Sequence, residues 1–285
     1  MVDVLVLNYN DAQTTINFIR NIKDFKNIRK IVVVDNCSTD DSLKKILAFA
    51  SDKLDVVKTP LNGGYGLGNN FGIRYLIENY RSEYILLSNP DVIVKEETIS
   101  ELERFLKANQ DYALAAPFML DSSGTRQVNT CFRIPNMWDY ILSFEMIWSK
   151  WFSKYFYKDI VLENGKCKAV DGISGSMFMM NAYYMNKYGM YDENIFLYCE
   201  EITLGMKLKK AGLKTALLPQ YSFVHNHSVS ISRTYKSEMK KHNLLIKSKL
   251  FVIKQYYGAS AIEYLLAWIM SKVSLIETWI WIKLR

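Results

Sequence analysis

The sequence predicts a doubly wound α/β fold built on a mostly parallel sheet. Strand-like apolar runs alternate with helix-like stretches through the first 117 residues, the pattern that βα units produce. Polar clusters at Asn8, at Asp35 and at Asn89–Asp91 each follow an apolar run. In such sheets ligands bind beyond the carboxyl ends of the strands, so three clusters on one edge point to one shared pocket. With 285 residues, 49% of them hydrophobic, the chain can bury a large single core with appendages.

The elements follow in order. Residues 2–7 are an apolar run ending in the polar cluster 8–11. Residues 14–25 place Ile16, Ile19 and Ile22 at helical spacing. A second strand at 31–34 ends at Asp35, and capping residues at 38–41 open a helix over 42–50. A third strand is expected at 55–58. A Gly/Asn-rich loop over 61–70 leads into a helix over 70–78. A fourth strand at 84–87 runs into Ser88-Asn89-Pro90-Asp91, a helix covers 98–107, and another strand covers 113–117. Residues 118–168 are irregular and aromatic, with Trp138, Trp148 and Trp151, and read as an insertion able to cover an acceptor. Residues 194–208 carry a second acidic cluster into a helix ending near Gly212. A late strand at 215–218 is followed by the segment 221–227.

The net charge of +7 is confined to the tail. Residues 233–285 hold ten Lys and Arg against three Glu, which leaves 26 of each sign, and no net charge, in residues 1–232. A basic, aromatic tail suits an anionic surface. It combines Lys240, Lys241, Lys247, Lys249 and Lys254 with Tyr256, Tyr257, Trp268, Trp279 and Trp281. Peripheral membrane contact is one reading. A helical pair packed on its own domain or on a second subunit, as in a homodimer, is the other. Nothing else resembles a nucleic-acid module, so no nucleic-acid partner is expected. The apolar segment 259–282 is interrupted by Glu263, Lys272 and Glu277, so a spanning helix is not expected. No CxxC pair occurs among Cys37, Cys131, Cys167 and Cys199, and no secretory leader is legible. Reduced thiols in a cytoplasmic protein are the expectation, with the inner face of the plasma membrane as a place of attachment.

Five constellations carry chemistry. Asp91, in Ser88-Asn89-Pro90-Asp91 beyond a buried strand, is placed to hold a hard cation, Mg²⁺ or Mn²⁺, against a diphosphate; a plain turn explains the same residues. Asp35 can accept hydrogen bonds from a base or ribose, or cap the next helix. Asn62-Gly63-Gly64-Tyr65-Gly66-Leu67-Gly68-Asn69-Asn70 allows close backbone approach to phosphate, though it matches neither the P-loop nor the dinucleotide fingerprint. Glu200 and Glu201 suit general-base work, or favour the positive end of a helix. His225, with His227 beside it, can complete a metal site begun by Asp91; a lone His is otherwise structural or exposed.

Taken together, these stretches resemble the inverting family 2 glycosyltransferases of the GT-A fold, in the bacterial rhamnosyltransferase-like branch. The likeness spans roughly residues 2–230. It rests on ordered matches at residues 6–10, 33–40, 62–64, 68–72, 87–91, 172–178, 189–193 and 196–201. It implies a catalytic domain over 1–232, with a nucleotide-sugar half at 1–117 and an acceptor half at 118–232, and a helical appendage over 233–285. Asn8, Tyr9 and Asp35 would meet the donor's base and ribose. Asn62, Gly64 and Asn69 would line the pocket near the diphosphate. Asn89 and Asp91 hold the outer places of the family's metal motif, with His225 as a later ligand. Glu201 falls where the family has its base, and Glu200 precedes it.

Three departures stand out. Asn89 replaces the first Asp of the metal motif, Glu201 is one methylene longer than the usual Asp, and Thr203 stands where another acid is frequent. The resemblance implies transfer from a dTDP- or UDP-linked sugar, with rhamnose favoured, to a saccharide or lipid-linked saccharide hydroxyl, with inversion. Two other readings compete. A sugar nucleotidyltransferase would carry Gly and basic residues in its first loop, and residues 8–14 have neither. A catalytically silent homologue acting as a scaffold is kept open by Asn89 and Thr203.

Overall fold

The structure is a computed structural model that describes residues 1–144, 155–157, 167–226 and 237–284. Trp148, Trp151, His227 and the expected 232/233 boundary lie outside the described residues.

The first half forms as the sequence implies. Strands β1 (Val2–Asn8), β2 (Ile28–Asp35), β3 (Leu54–Lys58) and β4 (Tyr84–Ser88) alternate with helices α1 (Ala12–Ile22), α2 (Ser42–Leu47) and α3 (Gly64–Tyr80). They pair in parallel in the order β3-β2-β1-β4. Next come β5 (Val92–Val94), α4 (Glu96–Ala108) and β6 (Tyr112–Leu120). A small separate ribbon pairs β7 (Cys131–Phe132) with β9 (Gly172–Ile173), and α5 (Met137–Leu142) follows β7 in the chain. The sheet is completed by β8 (Lys168–Val170), β10 (Met177–Asn181) and β11 (Lys214–His225), in the order β3-β2-β1-β4-β10-β6-β11-β5, with β8 also on β11. Helix α6 (Glu200–Lys210) precedes β11, and the chain ends in α7 (Glu238–Gln255) and α8 (Ala261–Lys283).

The sheet is mostly parallel, but β10 lies antiparallel between β4 and β6. Its central strands are buried on both faces. Val4, Val6, Ile31 and Val33 pack with Ile16, Ile19, Ile99 and Leu102 of α1 and α4. Leu5, Val32 and Val34 pack with Ile73, Leu76, Leu204 and Leu208 of α3 and α6. Three layers result, as alternate side chains of each strand point to opposite faces.

Two expectations need correction. The Gly-rich loop does not run to Asn70: from Gly64 onward it is about the first two turns of α3. Its glycines are a packing seam. A Cβ on Gly72 would stand 2.2 Å from Leu5 Cδ1, and one on Gly68 2.5 Å from Leu7 Cδ1. The late strand is likewise longer than 215–218. It continues to His225 through a register shift between Leu218 and Ser222.

The tail packs on its own domain. A third core joins Tyr140, Ile141 and Phe144 to Ile195 and Ile202, and to Ile246, Val252, Ile253 and Ala267 of α7 and α8. Ser248 Oγ donates to Leu197 O at 2.7 Å, and Lys249 Nζ donates to Ser143 O at 2.8 Å. Burial of Lys249 pushes its ammonium down to about 8. By length and composition α8 could cross a membrane, although the apolar run in the sequence is broken by charges. None of the four cysteines is in a disulfide.

Candidate functional site

The parallel pairing aligns the carboxyl ends of β1, β2 and β4, with Asn8 opposite Asp35 and Val6 opposite Ser88. Beyond that edge lies a cleft of about 700 Å³. Tyr9, Asn62, Gly64, Asn89, Asp91, Glu200, Glu201 and His225 all line it. Tyr9 and His225, 216 positions apart, are thus brought to one cavity.

Asp91 and His225 meet because β5 turns back and pairs with the end of β11, with Val92 opposite His225. Asp91 Oδ1 lies 3.1 Å from His225 Nε2, and the Asn226 N–H donates to Asp91 O at 3.0 Å. One hard oxygen and one imidazole nitrogen then face the cavity together. No larger group of carboxylate, imidazole and thiol ligands surrounds them among the described residues. A cation there would draw its other ligands from substrate oxygens and water, as Mg²⁺ sites commonly do.

Glu200 and Glu201 open α6 directly after Tyr198 and Cys199, both in the left-handed region at φ 72° and 70°. Each non-glycine residue held so costs on the order of 1 kcal/mol. The kink turns both carboxylates toward the cleft. Gly175 N donates to Glu201 Oε1 at 3.2 Å, while Tyr65 Oη donates to Gly175 O at 2.7 Å. Gly175 is therefore held through its carbonyl by Tyr65, while its N–H orients the Glu201 carboxylate. A Cβ at residue 175 would fall 2.7 Å from Glu201 Oε1, so glycine makes room for the contact.

The two acids differ. Glu200 is 3% exposed, and its Oε1 has no hydrogen-bond partner among the described residues. Burial, then the charge of Glu201, raises its carboxyl well above the usual range. Burial also raises Glu201, but N–H groups including that of Gly175 oppose the shift. The Gly175 N–H favours the ionised form of Glu201. Thr203, where the family frequently has another acid, is buried and donates to Glu200 O at 2.9 Å, fixing the helix start.

Three expected donor residues do not line the cleft. Asn8 and Asp35 are 1% and 0% exposed. Asn8 Nδ2 donates to Asp35 Oδ1 at 2.9 Å, Thr15 Oγ1 donates to Asn8 Oδ1, and Ser38 N donates to Asp35 Oδ2. This network lies beneath the cavity floor. Asn69 is buried on α3, with its Nδ2 donating to Tyr65 O.

Sequence reasoning did not assign Asn36 or Ser174–Ser176 to the site, and the role of Gly64 there is partly one of packing. Asn36 lines the cleft and donates to Asn62 Oδ1 and to Gly64 O, each at 3.0 Å. Gly64, at φ 89°, lets the start of α3 touch the segment before α6: a Cβ would lie 1.9 Å from Phe196 O, and Tyr65 N donates to that same oxygen. Asn70 bonds Tyr191 O and Glu193 Oε1 across the same seam. Ser174–Ser176 reach the site because β10 pairs with β4, and Asn89 N donates to Ser176 O at 2.8 Å. The matched stretch 172–178 was their only trace in the sequence. Lys241 and Leu245 of α7 also line the cleft, so the tail contributes to its wall.

The fold is of the GT-A class, a mostly parallel sheet with polar loops at its carboxyl edge and an antiparallel strand within it. It overlays the crystal structure of GalNAc-T7 with UDP, GalNAc and Mn2+ at a TM-score of 0.64 and 13% identity, covering 93% of this chain and 52% of that one. The chain belongs to Glycosyl transferase family 2, whose model matches residues 3–188. It is 25% identical over 233 residues to rhamnosyltransferase WbbL of Escherichia coli (strain K12), covering 79% of this chain and 83% of that one. It is also 24% identical over 225 residues to the N-acetylglucosaminyl-diphospho-decaprenol L-rhamnosyltransferase of Mycobacterium tuberculosis (strain ATCC 25618 / H37Rv), covering 75% and 71%.

Proposed function

We propose that this glycosyltransferase moves a sugar from a dTDP- or UDP-linked donor, with rhamnose favoured, onto the hydroxyl of a saccharide or lipid-linked saccharide, with inversion, in cell-surface polysaccharide synthesis. The similarity to two rhamnosyltransferases supports the donor class. The observation that carries the reading is one cleft holding the Asp91–His225 pair and a Glu201 carboxylate oriented by Gly175.

The Asp91–His225 pair fits a divalent cation, Mn²⁺ or Mg²⁺, that shares diphosphate oxygens and water. Such a cation would neutralise charge gathering on the leaving diphosphate. Asn62, Gly64 and Asn36 shape the donor side through backbone and amide groups. Tyr9 offers a ring and a hydroxyl to the nucleoside, and the buried Asn8–Asp35 pair holds that loop in place. Asn69 fixes the first turn of α3, and Asn89 positions the loop before Asp91. On the acceptor side Glu201 takes the hydroxyl proton as the oxygen bonds the anomeric carbon and the bond to the diphosphate oxygen breaks. Glu200, shifted toward its neutral form, keeps a second negative charge away from that base.

The test is Glu201→Gln with nucleotide-sugar donors and an oligosaccharide acceptor. Donor-induced thermal stabilisation should persist while transfer falls about 10²–10⁴-fold. Undiminished transfer in the variant removes Glu201 from the role.

A further inference from the structure

Helix α8 is built inside out. Its fully buried stripe is Ala267, Ser271, Ser274 and Thr278, all small or hydroxyl-bearing and recurring at helical spacing, with Tyr264, Met270 and Leu275 half-buried beside it. Its outward face carries the large side chains: Ile262, Leu265, Trp268, Ile269, Ile276 and Trp279 are all exposed. A helix packed on a water-soluble domain ordinarily does the reverse. Small residues on the packed side and large apolar ones outside are what a helix facing lipid shows.

Charge selects among the things that could cover this face. Lys272 and Lys283 are exposed on it, each four residues after a Trp, with Nζ 5.0 Å and 6.0 Å from the Trp268 and Trp279 ring centroids. The helix's two acids, Glu263 and Glu277, are half-buried, toward the packed side. The outward face is therefore apolar and cationic, with no carboxylate. A two-fold pairing with a second copy would bury lysines against lysines. An anionic bilayer surface pairs them with lipid phosphates and takes up the Trp and Ile side chains.

Attachment fixes the orientation. Ser274 Oγ, in the second half of the helix, donates to Phe144 O at 2.5 Å and lies 2.9 Å from His242 Nε2. The helix is thus fastened along its side to the catalytic domain. At about 34 Å it is long enough to span, but spanning would carry Lys272 and the domain itself into the hydrocarbon.

We infer that α8 lies in the plane of an anionic membrane, its Ile/Leu/Trp face sunk in the interface. Helix α7, the other arm of the hairpin, lines the cleft with Lys241 and Leu245, so docking holds the cleft beside the lipid surface. This inference does not depend on the transferase mechanism.

The experiment is flotation of the full chain with vesicles of phosphatidylcholine alone and of phosphatidylcholine mixed with phosphatidylglycerol. The wild type should float with the mixed vesicles and be stripped by alkaline carbonate. Lys272→Gln with Lys283→Gln should weaken binding about thirtyfold, at about fivefold per lysine. Leu265→Ser with Ile269→Ser and Ile276→Ser should abolish it while donor-induced thermal stabilisation is retained. A wild type that stays with the soluble fraction overturns the inference, as does a lysine variant that floats like wild type. Retention through the carbonate wash overturns the in-plane orientation. A wild-type dimer in light scattering that the serine variant dissolves assigns the face to a second copy instead.

Discussion

Replacing Gly175 by Ala probes the positioning of Glu201 while leaving both acids in the sequence. The added Cβ would stand 2.7 Å from Glu201 Oε1 and 3.2 Å from Tyr65 Oη, whereas ordinary contact begins near 3.4 Å. The carboxylate is the flexible partner, so it must retreat by about 0.7 Å. A displacement of about 1 Å at a reacting group costs roughly 10²-fold. Scaled to this shift, kcat should fall about 30-fold, or roughly 2 kcal/mol in the barrier. Retreat also weakens the Gly175 N–H bond, which now holds the Glu201 carboxyl down. The acid limb of the pH–rate profile should therefore move to higher pH, because the base must be ionised to act. The assay is initial-rate transfer across pH with saturating donor, paired with thermal melting with and without donor. Donor-induced stabilisation should be unchanged. A wild-type kcat with an unmoved acid limb would refute the assignment of Gly175 as the positioning residue.

Two more outcomes are expected. Because burial raises the folded-state carboxyl of Glu200, its stabilising neutral form is lost as pH rises from the unfolded value near 4.5 through the raised one. Glu200→Gln should then gain stability over wild type as pH climbs through that window, by about 1.4 kcal/mol for each tenfold by which burial strengthens proton binding; melting curves showing a pH-independent difference would count against the buried-acid account. Asp91→Asn should abolish the Mn²⁺-dependent part of donor-induced stabilisation, an effect of about 5 °C or more at donor concentrations 100-fold above Kd. Equal Mn²⁺-dependent shifts in the two proteins would remove Asp91 as a cation ligand.

Much of the first 117 residues was legible because their information is local. The runs at 2–7 and 31–34 are apolar enough to be nothing but buried strands, and each leaves a polar residue at its carboxyl end. Parallel pairing then dictates that those ends share an edge. The Gly-rich segment misled for a physical reason. Glycine signals both a loop and a close helix–sheet approach, and only the proximity of Leu5 and Leu7 shows that the second applies. The strand Val92–Val94 was too short to read as one, yet its pairing with β11 is what brings Asp91 to His225.

The sequence by itself determined the α/β class, the family and the residue types at the site, since these rest on periodicity and on motifs of a few adjacent positions. The tertiary structure decided which residues share the cleft, that Asn8 and Asp35 serve each other beneath its floor, and that Glu201 rather than Glu200 is the acid held by the Gly175 amide. It also decided which face of α8 is outward. Those facts depend on contacts between residues tens to hundreds of positions apart, and on the burial that such contacts create, neither of which a local pattern of side chains encodes.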